Sequence, residues 1–262
     1  MEGEEVVLRG GTLNHVVRIG DTVRRPAGRW TPTVQALLRH LADRQFPYSP
    51  RPLGLDDSGR ETLTYIEGET VGWALPWPDW IRGAELLQEI GTAVAQLHRA
   101  AASFQAPPGA VWQSEAAAGT PAATICHNDI APYNIVAVDG HLAGIIDWDQ
   151  AAPGDPLSDL AFVAWQWVPL HGPFVASLMG WSDPDRTGRL RLLLDAYGLE
   201  SRDGFIDAVT ARISRNRAIM LARAAAGDPA YQALVDQGHI AGMDEALSFV
   251  RAERSRFEDA IL

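Results

Sequence analysis

Apolar and polar residues alternate near the start of the chain, in EVVLR, NHVVRI and DTVRR, and this two-residue period predicts three short strands within residues 5–25. Gly10-Gly11-Thr12 joins the first pair and Gly20-Asp21 the second, which reads as an antiparallel meander. On the third strand Val23 and Arg25 share a face while Arg24 points the other way, and Arg25 is taken as the inward-facing arginine. The period then changes. Thr31-Pro32 reads as an N-cap followed by proline in the first turn, and Val34, Leu37, Leu38 and Leu41 form a helical stripe that should end near Arg44. RPLGLDD and ETLTYIEGE return to strand character around an Asp57-Ser58-Gly59 turn.

The Pro- and Trp-rich segment GWALPWPDW, just after Glu67-Gly68-Glu69, marks a change of composition, and the chain is divided there into lobes at 1–68 and 69–262. The first lobe is a small antiparallel sheet with one helix, and the second is mainly helical, so the fold class is α+β. Leu86, Leu87, Ile90, Val94 and Leu97 fall on one face of an amphipathic helix. His98, near its end, reads as a capping or packed histidine. Ile135–Val138 and Leu142–Ile146 read as a hairpin closed by Asp139-Gly140. A buried helix is expected over Pro156–Val168, and three more helices near 185–197, 201–226 and 230–259.

Composition limits the partners. The 262 residues, 47% hydrophobic, suffice for a large core, and a net charge of -11 argues against nucleic acid or an anionic membrane as the main partner. A cationic ligand would be steered favourably, although an acidic surface serves solubility equally well. The single Cys126 cannot close an intramolecular disulfide, the acidic start MEGEEVVLRG is unlike a signal peptide, and LAFVAW is far too short to span a membrane. A cytoplasmic protein is the expectation. No fixed-period repeat is present, and EAAAGTPAA is a short biased patch before the hairpin.

The chemistry-bearing residues gather around that hairpin. His127, Asp129 and Asn134 stand in the order H-x-D-x-x-x-x-N before its first strand, and Asp147 lies at the end of its second, in IIDWD. A hairpin of this length brings its two ends together. Phosphoryl transfer requires a carboxylate that orients and deprotonates an attacking hydroxyl, and oxygen ligands that hold Mg²⁺ across the donor phosphates. Asp129 suits the first task, and Asn134 and Asp147 the second. Asp149 and Asp155 read as turn or cap carboxylates, or as contacts to a cationic acceptor. His141 and His171 suggest no partner.

The arrangement resembles the kinase catalytic loop followed by the metal-binding aspartate of D-F-G, and CHNDIAPYN with IIDWDQAAPGDPLSDLA is similar to the aminoglycoside phosphotransferase family of small-molecule kinases. The resemblance covers most of residues 5–165, is strongest over 125–161, and fades in the C-terminal hundred residues. It implies a two-lobed protein-kinase-like fold with ATP or GTP between the lobes, Mg²⁺, and a hydroxylated acceptor against the later helices, including the antibiotics such enzymes inactivate. By resemblance Asp129 is the catalytic base, Asn134 and Asp147 hold Mg²⁺, and Arg25 takes the place of the lysine that touches the donor phosphates. Tyr65, Ile66 and Glu67 resemble the hinge that meets the purine. His127 would support the loop and Asp159 would brace it by hydrogen bonds.

Three features depart from the family pattern. The first helix, TPTVQALLRHL, lacks the acid that usually pairs with the strand-three cation, leaving Gln35 or a residue elsewhere to orient Arg25. Arginine also replaces lysine there, and Gly10-Gly11 is shorter than the Gly-rich loop of protein kinases. A nucleotide-binding pseudokinase-like module stays open beside the enzyme reading. A metal-dependent phosphohydrolase would have no need of the strand-rich first lobe.

Overall fold

The structure is a computed structural model that describes residues 4–8, 16–72, 75–114 and 124–262. The Gly10-Gly11-Thr12 turn and the EAAAGTPAA patch lie outside these residues. Five strands, β1 (Val6–Val7), β2 (Val17–Ile19), β3 (Thr22–Arg25), β4 (Pro52–Leu55) and β5 (Glu61–Thr64), form one antiparallel sheet in the order β1-β2-β3-β5-β4. The alternation read from the sequence separates the two arginines: Arg25 is 7% exposed, whereas Arg24 is only partly buried and reaches the Asp56 carboxylate. The β3–β5 register sets Arg25 directly opposite Glu61. Asp56 shapes the turn before β5 by accepting the N–H groups of Ser58 and Arg60.

Helix α1 (Thr31–Asp43) follows β3 and buries Val34, Leu37, Leu38 and Leu41 completely. Its start differs from expectation. Thr31 is already helical and its hydroxyl accepts the upstream N–H of Gly28 at 2.9 Å, so Trp30 occupies the cap position and offers no side-chain cap. The helix ends at Arg44, where its stripe runs out.

Helix α2 (Ala84–Ala101) buries all five of its predicted apolar residues. After it come β6 (Thr124–Cys126), the hairpin of β7 (Ile135–Val138) and β8 (His141–Ile145), and β9 (Ala152–Gly154), which pairs with β6. Asp139 and Gly140 both take positive φ, 52° and 80°, as the two-residue loop requires. The remaining chain is helical: α3 (Pro156–Trp167), α4 (Pro173–Leu178), α5 (Arg186–Tyr197), α6 (Phe205–Ala225), α7 (Pro229–Asp236), α8 (His239–Ala252) and α9 (Arg254–Ile261). The single helix expected over 230–259 is thus three. Gly238, at φ 86°, ends one segment, and the backbone leaves helical geometry again at Glu253. Six-residue α4 is too short for a periodic signal.

The chain divides into two compact units, Met1–Ala74 with Thr92–Asp159, and Leu75–Gly91 with Leu160–Leu262. The first contains the sheet, α1 and the hairpin, with Leu63, Ile135, Ile145 and Trp148 in its core. The second is helical, around Leu86, Leu87, Trp167, Leu190, Leu193, Leu194 and Phe205. Among the described residues no helix is long and apolar enough to cross a membrane.

Candidate active site

The signature residues of the H-x-D-x-x-x-x-N stretch are held both by the loop itself and by residues distant in sequence. Strand β6 delivers His127, after which Asn128 turns the backbone at φ 67°, a conformation asparagine tolerates better than most residues. Its side-chain amide donates to the Gln150 carbonyl at 3.0 Å, which ties the loop to the segment following β8. Asp159, in the first turn of α3 and wholly buried, accepts the N–H groups of His127 at 3.0 Å and Asn128 at 2.9 Å. His98 closes the set with Nε2 3.1 Å from Asp159 Oδ2, so the packed histidine expected from the sequence has a partner in the loop's own brace.

His127 is fully buried edge-on to Trp148, with ring centroids 4.6 Å apart. Burial holds its pKa below the ordinary histidine value, against the pull of Asp159 and Asp147. The neutral ring accepts the Asp129 N–H at Nδ1, 3.3 Å away, so its proton resides on Nε2. His127 therefore sets the backbone of Asp129 from behind.

The Asp129 carboxylate is half-buried and held at both oxygens. The Asn134 amide donates to Oδ2 at 2.8 Å and to the Asp129 carbonyl at 2.9 Å, while the Tyr133 hydroxyl donates to Oδ1 at 3.2 Å. Tyr133 was not singled out from the sequence. Its only signal was position, four residues after Asp129 in the turn PYN that ends at β7. Because the side-chain nitrogen of Asn134 points to Asp129, its side-chain oxygen, Oδ1, is the atom left to ligate a cation. The other end of the hairpin lies beside it: the Ile146 N–H donates to the Asn134 carbonyl at 2.9 Å, and Asp147 follows in left-handed conformation at φ 59°. Two non-glycine residues with positive φ, Asn128 and Asp147, thus flank the same loop, a placement typical of functional sites.

Asp147 Oδ1 accepts from Arg25 at 3.1 Å, which joins the hairpin to β3. Arg25 also donates through Nε to Glu61 at 2.6 Å and through NH2 to Asp149 at 2.5 Å. Burial alone would lower this guanidinium, but Asp149, Glu61 and Asp147 raise it above its ordinary value. Asp149 is itself pushed up by burial, opposed by Arg25 and assisted by Asp147. Gln35 contacts Glu61 Oε1 at 3.3 Å and the Gly54 carbonyl at 2.9 Å, so it orients Arg25 only through Glu61. Asp149 lies in the 3-10 turn Trp148–Gln150, as the turn reading expects, and there it pairs with Arg25. Asp155 is the cap carboxylate anticipated, accepting the Leu157 N–H at the start of α3. Three carboxylates around one guanidinium carry a formal charge of minus two, which suits one divalent cation, and the oxygens of Asp147 and Asn134 are the hard donors that such an ion takes.

Tyr65, Ile66 and Glu67 leave β5 as an extended segment. The Tyr65 N–H donates to Asp21, the Tyr65 ring lies under Arg18 at 3.7 Å, and the exposed Glu67 pairs with Arg18. Two residues on, Glu69 and Ala137 exchange backbone hydrogen bonds of 2.8 and 2.9 Å, which attaches the segment to β7. Gly68 permits this at φ 142°, and a Cβ there would sit 2.5 Å from the Ala137 carbonyl oxygen. His141 is exposed on β8, and His171 is buried with its Nδ1 accepting the Trp165 indole N–H at 3.2 Å.

An α+β fold carrying this loop on a hairpin is that of a kinase-type phosphotransferase. A profile of the phosphotransferase enzyme family matches residues 109–193. The trifolitoxin immunity protein of Rhizobium leguminosarum bv. trifolii is 37% identical over 211 residues, 78% of each chain. Among solved structures, a choline/ethanolamine kinase family protein from Mesorhizobium loti aligns with TM-score 0.59 at 19% identity, over 95% of this chain and 93% of that one. The GDP complex of aminoglycoside 2'-phosphotransferase-IIIa aligns with TM-score 0.55 at 14% identity, over 98% and 94%. The chain belongs to the phosphotransferase enzyme family, and its activity is that of a small-molecule phosphotransferase.

Proposed function

We propose that the protein transfers the γ-phosphate of ATP or GTP to a hydroxyl of a small molecule, with Asp129 as the base. The observation that carries this reading is the Asp129 carboxylate gripped by Asn134, whose backbone is bonded to the residue preceding Asp147. Asp129 orients the acceptor hydroxyl and takes its proton as the oxygen attacks phosphorus. Asn134 and Asp147 would hold Mg²⁺, which when bound neutralises charge on the donor phosphates. Arg25 faces those phosphates, and Tyr65, Ile66 and Glu67 offer backbone groups to the purine. In this reading residues 1–68 form the nucleotide-binding lobe and 69–262 the catalytic and acceptor-binding lobe, in a cytoplasmic protein. His127 and Asp159 support the loop and do not react. The GDP bound by a structural neighbour supports a nucleotide donor.

For the acceptor, the net charge of -11 favours a cationic compound of the aminoglycoside kind, and the immunity role named for the 37% identical relative favours a toxic one. Phosphorylation of a toxin's hydroxyl would give the producer or its neighbour protection. The test is transfer from labelled ATP and GTP, with Mg²⁺, to a panel of hydroxylated amines, sugars, antibiotics and other toxins. Transfer that disappears in Asp129→Asn, with nucleotide binding retained, supports the reading. Absence of Mg²⁺-dependent nucleotide binding by calorimetry in the wild-type protein refutes it, and binding without turnover across the panel points to the pseudokinase-like alternative.

A further inference from the structure

We infer that Glu61 and Asp149 together perform the positioning of Arg25 that the helix acid performs elsewhere in the family, so that α1 contributes only the neutral Gln35. The inference rests on the proposed role of Arg25 toward donor phosphates. Two independent features of the chain converge on it. Strand register places Glu61 across from Arg25 on the same sheet face, at the distance of a direct cross-strand pair, and Glu61 is 1% exposed. Asp149 arrives from the opposite side, two residues beyond Asp147 in the 3-10 turn Trp148–Gln150, and is also buried. Nε and NH2 of Arg25 are thus fixed in a plane at 2.6 and 2.5 Å by groups that belong to β5 and to the hairpin's exit. A guanidinium spreads its donors over three nitrogens of a rigid plane, whereas the three donors of an ammonium radiate from one nitrogen on a flexible stem. That accounts for arginine at a position where the family pattern has lysine. The third contact, NH1 to Asp147, is the longest at 3.1 Å, and it ties the orientation of the cation to the carboxylate proposed to hold the metal.

Neither Glu61 nor Asp149 touches substrate in this scheme. Each acts through Arg25, and the Gln35 amide on Glu61 couples α1 to the cation.

The test is a set of full-length variants measured for Mg-nucleotide dissociation constant, using whichever of MgATP and MgGTP the wild type binds, alongside kcat and melting temperature. Glu61→Gln and Asp149→Asn are each expected to weaken Mg-nucleotide binding by about tenfold, as loss of a charged hydrogen-bond partner does. In an Arg25→Ala background Glu61→Gln should add nothing, because the residue it acts through is gone. The exchange Gln35→Glu with Glu61→Gln keeps a bond from Arg25 to residue 61 and from residue 61 to residue 35 while moving the charge onto α1. Its dissociation constant should fall nearer to wild type than that of Glu61→Gln alone. Wild-type nucleotide binding in both Glu61→Gln and Asp149→Asn, or full additivity with Arg25→Ala, overturns the inference and leaves the phosphotransferase reading intact. Failure of the wild type to bind Mg-nucleotide instead removes the reading beneath it. A melting temperature that falls in step with affinity in every variant, the exchange included, would make the role structural only and likewise overturn it.

Discussion

At Asp129 the two oxygens have different partners, an amide from Asn134 and a hydroxyl from Tyr133, and they can be perturbed separately. Asp129→Asn should lower turnover by about 10²–10⁴, the range a positioned base contributes, with Mg-nucleotide affinity within a few-fold of wild type. Tyr133→Phe removes one donor and keeps the ring. It should lower kcat by about tenfold and leave the nucleotide KM unchanged, because the hydroxyl donates to the carboxylate proposed as the base. Equal rises in both KM values without loss of kcat would show that Tyr133 binds substrate and does not set the base. Asp147→Asn should produce the opposite pattern, in which calorimetry shows weakened binding of Mg-nucleotide and little change for nucleotide with Mg²⁺ chelated. These roles separate because the hairpin ends share a backbone hydrogen bond while their side chains face different partners.

Among elements, the loop and hairpin were the most legible from the sequence, since H-x-D-x-x-x-x-N, Asp139-Gly140 and IIDWD have fixed spacings that short-range geometry enforces. Strand alternation likewise identified Arg25 as the inward arginine of β3. The partners of Arg25 were hidden because they depend on register: Glu61 meets it only through the antiparallel pairing of β3 with β5, thirty-six residues away. The resemblance points to an acid in α1, where Gln35 stands instead, and the second aspartate of IIDWD reads from its spacing as a turn or cap carboxylate or an acceptor contact, with nothing local to pair it with Arg25. Asp159 was identified from resemblance, but its link to His98 required the packing of α2 against the loop. The helix boundaries after residue 200 were blurred because apolar residues continue across Gly238 and Glu253, where the backbone breaks. Arg25→Ala should be strongly destabilising, by about 3–5 kcal/mol in urea titrations, because it strands buried Glu61 without its cation. Arg25→Ala combined with Glu61→Gln should recover a large part of that loss.

The whole molecule carries a built-in sensitivity to acid. His127 and His171 are both buried with pKa values held below that of an unfolded histidine, His171 down to about 3 through burial and the nearby charge of Arg186. A group whose folded pKa is depressed keeps the native state favoured above the unfolded value of 6.5, and that stability is lost as pH falls toward the folded value. For His171 the slope is about 1.4 kcal/mol per pH unit between those limits. Urea midpoints should therefore drop between pH 7.5 and pH 5. Replacement of His171 by Asn, which keeps an acceptor for Trp165 without titrating, should reduce that drop by one group's share and leave the contribution of His127. A midpoint equally pH-dependent in the variant would exclude His171 as a source.

The exchange of backbone hydrogen bonds between Glu69 and Ala137 makes the segment that follows β5 an extra rung on the β7 hairpin. Residues proposed to cradle a purine and the strand that follows Asn134 consequently share one mechanical linkage, which turns at Gly68. Occupancy at the base end should be transmitted as tension rather than as a new contact. The amide hydrogens of Glu69 and Ala137 then become a built-in gauge: their exchange with deuterium should slow on nucleotide addition in the wild type and in Asp129→Asn alike, reporting loading of the enzyme independently of turnover.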